Sequence, residues 1–214
     1  MRVKKKKHGT ERLNACADVV IEDLKVCGGN PKYFFGNGNP VMVEIGCGKG
    51  DFVVGTAKQN PDCNFLALEK ISDVLVTAAE KVKKSGLSNV KVACVDAKDL
   101  PECFNEGSID TVFLNFSDPW PKARHFKRRL TYREFLEMYK RLLKPFGKIC
   151  FKTDNRELFD FSLEEFEAAD LKIQNLTYDL HNSEYNEGNV MREYEKRFSA
   201  LGTPINRAEA VKKY

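Results

Sequence analysis

The chain lacks any apolar run long enough to cross a bilayer. Its most hydrophobic stretches, such as Val41-Met42-Val43 and Thr111-Val112-Phe113-Leu114, fall far short of the roughly 18 residues a membrane span needs. A soluble protein is expected, with no membrane partner. The first residues, Met1-Arg2-Val3-Lys4-Lys5-Lys6-Lys7-His8, carry the charge of a signal peptide, but polar residues follow where its apolar stretch should stand, so export is not expected. Also missing is any Cys-x-x-Cys pair. The seven cysteines (Cys16, Cys27, Cys47, Cys63, Cys94, Cys103, Cys150) are odd in number and irregularly spaced, which suits neither a disulfide framework nor a zinc site. Several lie in apolar runs, where a thiol behaves as a small buried hydrophobe. The expected setting is a reducing cytoplasm, without a bound metal.

What is present suffices for one globular domain with a sizeable core and a small appendage: 214 residues, 42% apolar, 31% charged, with 14 glycines. The net charge of +4 is modest, but its distribution is not. Residues 1–7 hold five basic groups and no acid, residues 119–133 hold six and no acid, and everything else sums to −7. A polyanion would be held by those two patches and repelled from much of the remaining surface.

From Pro40 onward, short apolar runs alternate with segments of helical period, the pattern of a doubly wound sheet. The expected fold is α/β and Rossmann-like, a mostly parallel seven-stranded sheet with an antiparallel edge and helices on both faces. Strands are predicted at 41–46, 64–69, 90–96, 109–116 and 147–153. Late strands are predicted at 171–180 and 194–198, joined by a long polar loop over 181–193. Helices are predicted at 71–85, closed by Gly86, at 131–143, closed before Pro145, and at 156–169. Thr131 and Glu134 have the spacing of a capping box. Residues 1–39 read as a basic arm and a helical extension, with a helical pattern near Ala15–Val26, and residues 40–214 as the main domain.

The clearest local motif is Val43-Glu44-Ile45-Gly46-Cys47-Gly48-Lys49-Gly50-Asp51, a strand running into a glycine-rich turn before a helix. A ligand-free strand-to-helix turn could use the same glycines. The dinucleotide fingerprint needs glycine at 51, where Asp51 stands, and a carboxylate there repels a pyrophosphate. The next two strands each close on an acid. Glu69, about 20 residues beyond the glycines, is placed to accept from ribose hydroxyls, and Asp96 could accept from an adenine amine. Together they describe an adenosine site without phosphate ligands. That suits S-adenosyl-L-methionine, whose cationic groups Glu44 and Asp51 would attract.

After the fourth strand comes Asn115-Phe116-Ser117-Asp118-Pro119-Trp120-Pro121-Lys122-Ala123-Arg124-His125-Phe126-Lys127-Arg128-Arg129. Two prolines around the only tryptophan fix a rigid turn, and a basic segment with aromatic interleaving follows, pointing to RNA.

At these residues the sequence resembles the bacterial tRNA (guanine-N7)-methyltransferase family. The matching pieces are Glu44 through Gly50, Glu69, Asp96, Asp118 through Arg129, Thr153-Asp154-Asn155 and Glu193-Tyr194-Glu195. The resemblance implies methyl transfer from S-adenosyl-L-methionine to N7 of a guanosine in the tRNA variable loop. It implies a cofactor site of Glu44, Gly46, Gly48, Gly50, Glu69, Asp96, Ala97 and Asp118, with Asp118 also catalytic. Lys122, Asp154, Arg192, Glu193, Tyr194 and Glu195 become substrate contacts, and Arg124, His125, Phe126, Lys127, Arg128 and Arg129 an RNA-interacting stretch. This chain departs from the family at Arg192, where a small hydroxyl residue is usual, and at Cys47, where threonine is common.

Guanine could be selected by a carboxylate accepting from N1–H and the exocyclic amine, with Asp154 and Glu195 as candidates. Two alternatives stand beside this function. One is an amino-group RNA methyltransferase, although its turn places both prolines before the aromatic. The other is a non-catalytic RNA-binding protein on the same fold. No obligate protein partner is implied, and either a monomer or a homodimer fits.

Overall fold

The computed structural model describes residues 6–214, so the expected arm over 1–7 falls largely outside the described residues. The chain groups into two compact units, one ending at Ser108 and the other spanning Ile109–Tyr214.

The first unit comprises α1 (Gly9–Asn14), β1 (Val20–Ile21), β2 (Val41–Ile45), α2 (Asp51–Gln59), β3 (Asn64–Glu69), α3 (Ser72–Ser85) and β4 (Val90–Cys94). Its strands run in the order β1-β4-β3-β2, every neighbour parallel. Parallel strands covered on both faces are apolar throughout rather than alternating, and β3 is buried at every position except its last, Glu69. The α3 helix turns Leu75, Val76, Ala79 and Val82 inward at a spacing of three to four. It ends at Gly86, whose φ of 69° is left-handed, as a glycine C-cap requires. Arg12 of α1 clasps Glu80 of α3 through two bonds of 2.7 Å.

The second unit comprises β5 (Ile109–Asn115), α4 (Arg133–Leu142), β6 (Leu143–Thr153), α5 (Arg156–Ala168), β7 (Lys172–Thr177), α6 (Glu193–Ser199) and β8 (Asn206–Val211). Here β5 pairs in parallel with β6, and β8 lies antiparallel between β6 and β7. The α/β class and the antiparallel edge are as expected. The strand count is not: the described residues contain eight.

Three expectations are corrected. The segment 194–198 is not a strand but lies in α6, and the strand beside β7 is β8 instead. The helical pattern near Ala15–Val26 resolves into the short β1 and a 3₁₀ turn at Leu24–Cys27. Thr131 does not cap α4. Its hydroxyl accepts from Ser162 Oγ at 2.7 Å, fastening the approach to α4 onto α5.

Within β8, Glu209 is almost fully buried. Burial pushes its carboxyl up, but hydrogen bonds from Gln174 and Lys148 and the charges of Lys148 and Arg207 outweigh this and hold it below the usual carboxylate range. A carboxyl lowered on folding adds stability above its unfolded value of about 4.3, and loses it as pH falls through the folded value. Replacing Glu209 with Gln should therefore flatten the fall of the thermal midpoint between about pH 5 and pH 3. Identical midpoint-against-pH curves for the two proteins would show that Glu209 carries none of the acid sensitivity.

Candidate active site

In the first unit, the candidate cofactor residues gather at the carboxyl ends of β2, β3 and β4. The turn after β2 is pinned where the amides of Gly46 and Cys47 both donate to Leu68 O, at 2.8 and 2.9 Å. Gly50 has φ 81°, and a Cβ there would stand 3.1 Å from Ala78 Cα, so glycine is needed both for the conformation and for the approach of α3. Glu69 spans the neighbouring strand end: one oxygen accepts from Gly48 N at 3.1 Å, the other from Ile71 N at 3.1 Å. The glycine turn and the acid some 20 residues later are thus joined directly.

Asp96 stands just beyond β4 and caps a 3₁₀ turn that begins at Ala97, accepting from Lys98 N at 3.3 Å and pairing with Lys70 Nζ at 2.6 Å. Burial raises its carboxyl, but the Lys70 hydrogen bond and the charges of Lys70 and Lys98 hold it below its ordinary value. Glu44 is buried within β2. Asp51, expected to attract a cation, is already paired with Lys81 at 2.7 Å. These donors and acceptors fit an uncharged ribose and a cationic side chain. No cluster of His, Cys, Asp or Glu that could hold a metal occurs among the described residues.

In the second unit, β5 delivers Asp118 to an exposed turn. Both flanks of that turn are left-handed at bulky residues, Phe116 with φ 54° and Trp120 with φ 41°, conformations that persist only where the surroundings impose them. Phe116 N donates to Lys152 O at 2.8 Å, and Arg192 Nη1 donates to Asn115 O. Arg192 therefore braces the end of β5.

Beyond Pro121 the basic segment forms a 3₁₀ turn, Ala123–Arg128, leaving Lys122, Arg124, Lys127 and Arg128 exposed. Trp120 packs edge-on to His125, and Arg128 lies 5.0 Å over its ring. Arg129 departs from this pattern: it is only 5% exposed, and burial pulls its guanidinium below its ordinary value.

Of the substrate candidates, Asp154 and the segment 192–195 stand where α5 and α6 begin, whereas Lys122 lies exposed ahead of the basic 3₁₀ turn. Asn155 caps α5 by accepting from Leu158 N at 2.7 Å, which fixes its neighbour Asp154. Tyr194 donates to Asp154 Oδ2 at 3.1 Å, stacks on Phe198 with centroids 4.2 Å apart, and packs beside Phe116. Burial first, then the Asp154 charge, pushes the Tyr194 phenol above its ordinary value. Glu193 is exposed. Glu195 does not share this outward position. Fully buried, its carboxylate accepts from Lys152 Nζ at 2.8 Å and Asn189 Nδ2 at 2.9 Å, with His181 Nε2 at 3.3 Å.

Lys152, His181 and Asn189 were not foreseen as part of this region. The only signal was a lysine inside the apolar strand Ile149-Cys150-Phe151-Lys152, where a charge needs a buried partner.

Comparison with known proteins extends the geometry. A family described as "Putative methyltransferase" matches residues 38–208. The tRNA (guanine-N(7)-)-methyltransferase of Streptococcus pneumoniae is 49% identical across 98% of this chain and 99% of its own. That of Bacillus subtilis is 48% identical across 98% of each. Among solved structures, a 16S rRNA methyltransferase superposes with a TM-score of 0.63 at 14% identity, covering 85% of this chain and 91% of its own. At that identity the likeness speaks for the fold alone.

Proposed function

The chain belongs to the tRNA (guanine-N7)-methyltransferase family, and from that premise we propose how its residues share the work of methylating N7 of a guanosine in the variable loop of tRNA. The first unit binds S-adenosyl-L-methionine. Glu69 takes the ribose hydroxyls, Asp96 and Ala97 flank the adenine, and Glu44 and the turn Gly46-Gly48-Gly50 take the methionine end. When bound, the cofactor supplies an electrophilic methyl on a sulfonium.

N7 of guanine presents an in-plane lone pair, so no base has to remove a proton and the protein's main task is alignment. Holding reacting atoms about 3–3.5 Å apart in line contributes on the order of 7–11 kcal/mol. Asp118 stabilises the positive charge that develops on the purine. Asp154, steadied by Tyr194, accepts from guanine N1–H and the exocyclic amine, donors that adenine does not offer as a pair. Lys122, Arg124, Lys127 and Arg128 meet the phosphates.

The observation that carries this proposal is the exposed Asp118 followed, over the next ten residues, by those exposed basic side chains. The setting that suits this work is the cytoplasm, since no disulfide joins any of the seven cysteines.

The decisive experiment treats unmodified tRNA with labelled cofactor and then cleaves the chain specifically at 7-methylguanosine. Cleavage at a single variable-loop guanosine is expected. Label on another base would overturn the assignment to N7, and cleavage elsewhere in the tRNA would overturn the assignment to the variable loop.

A further inference from the structure

We propose that Arg129 is a positioning residue that holds the Asp118 turn in shape, and that it makes no contact with RNA phosphate. Its Nε donates to Pro119 O at 2.9 Å and its Nη2 to Trp120 O at 3.4 Å, so the edge of the fork that would grip a phosphate already grips the turn. Two neighbouring rings also pack against the guanidinium: Phe126 lies 4.2 Å from its carbon and Phe161 of α5 lies 4.3 Å away, with the ring centroids 5.6 Å apart. Among the described residues no carboxylate stands within ion-pair distance of it; the Glu157 charge acts on it from farther away and only partly offsets its burial.

The neighbouring Arg124, Lys127 and Arg128 are exposed, so the run Arg124–Arg129 divides by accessibility. At 5% exposure, with Nε and Nη2 already bonded to the turn, Arg129 presents far less of itself to a phosphate than those neighbours do.

The turn requires such a clamp. Trp120 sits at φ 41°, a strained conformation for a tryptophan, and it lies two residues after Asp118. Arg129 bonds the carbonyls of Pro119 and Trp120, and Phe161 ties the same guanidinium to α5, the helix whose first residues fix Asp154. One buried cation thereby connects the turn of the proposed catalytic acid to the helix that the proposed guanine acceptor, Asp154, immediately precedes. The proposal rests on the assignment of Asp118 and tRNA made above.

The test compares Arg129→Met, Arg129→Lys, Arg129→Ala and Arg124→Ala in the full chain. Salt-dependent tRNA affinity and single-turnover methylation at saturating tRNA and cofactor are both measured. Each phosphate contact contributes about 0.7–0.9 to the slope of log K against log salt. Arg124→Ala should lose about that much slope, while Arg129→Met keeps the wild-type slope and loses about 10- to 100-fold in single-turnover rate. Arg129→Lys should fall between Met and wild type, and added guanidinium should restore part of the rate of Arg129→Ala.

A slope loss matching Arg124→Ala, with the rate at saturation unchanged, would overturn the proposal. So would an unfolded Arg129→Ala that guanidinium fails to rescue, since Arg129 would then serve stability alone. Absence of 7-methylguanosine with the wild-type protein would instead strike the proposed function and leave the Arg129 geometry untouched.

Discussion

Replacing Glu195 with Ala is expected to destabilise the Ile109–Tyr214 unit by about 3–5 kcal/mol, the usual consequence of removing one partner of a buried ion pair. Lys152 and Glu195 are 6% and 0% exposed, and the pair stands at 2.8 Å. The Lys152 ammonium also donates to Asn189 Oδ1 at 3.0 Å and Val190 O at 3.2 Å, so it cannot turn to water without breaking the loop that leads into α6. Loss of the carboxylate strands that charge.

At about 2–4 °C per kcal/mol for a chain of this size, the thermal midpoint should drop by roughly 6–20 °C. Substituting both partners together, Lys152→Met with Glu195→Leu, should recover most of the loss, because buried pairs exchanged for packed apolar groups are often neutral or better. Methylation should fall in the single variant, since α6 carries Tyr194, while cofactor affinity persists. Calorimetric unfolding and cofactor titration measure both. A midpoint for Glu195→Ala within a degree of wild type would show that something else holds α6.

The second large effect is expected at Asp118. Changing it to Asn keeps the shape of the side chain and removes the charge, and should lower the single-turnover rate about 10²- to 10³-fold, the scale on which loss of one preorganised electrostatic group is felt. If the carboxylate acts where charge develops on the purine, tRNA and cofactor dissociation constants stay within about twofold. If its main work is to hold the methionine amine, cofactor affinity falls instead and the rate at saturation is largely retained. Measuring cofactor affinity by titration and the rate by rapid quench separates the two. An unchanged rate and unchanged affinity together would remove Asp118 from the active site.

Much of the framework is legible in the residues alone, and the exceptions have physical causes. The strands β2 to β5 are mostly buried and therefore read as short, largely apolar runs, and Gly46, Glu69 and Asp96 mark the ends of the first three. Tyr194 and Phe198 misled because a spacing of four satisfies the period of a strand and also that of a helix. Their rings stack in the helix as an i, i+4 pair. The β8 strand was hidden by Asn206, Arg207 and Glu209, which look like surface residues until Lys148, Gln174 and Arg207 are found around Glu209. Thr131 had the spacing of a cap, yet its hydroxyl went to Ser162 on a different helix.

By itself, the sequence determined the series of strands and helices from β2 to β7, the glycine turn with acids closing the following strands, and a basic segment beginning directly after Asp118. Those are local properties, set by backbone freedom, hydrophobic period and charge order. Only the tertiary structure decided which charges face outward. Arg124 and Arg129 stand five residues apart in one basic run, but Phe161 and two turn carbonyls cover the second. Glu195 adjoins the exposed Tyr194, but Lys152 draws it inward from 43 positions away. Whether a charged group is presented to a ligand or held within the protein depends on partners remote in the chain, because burial of a charge is tolerated only where such a partner meets it.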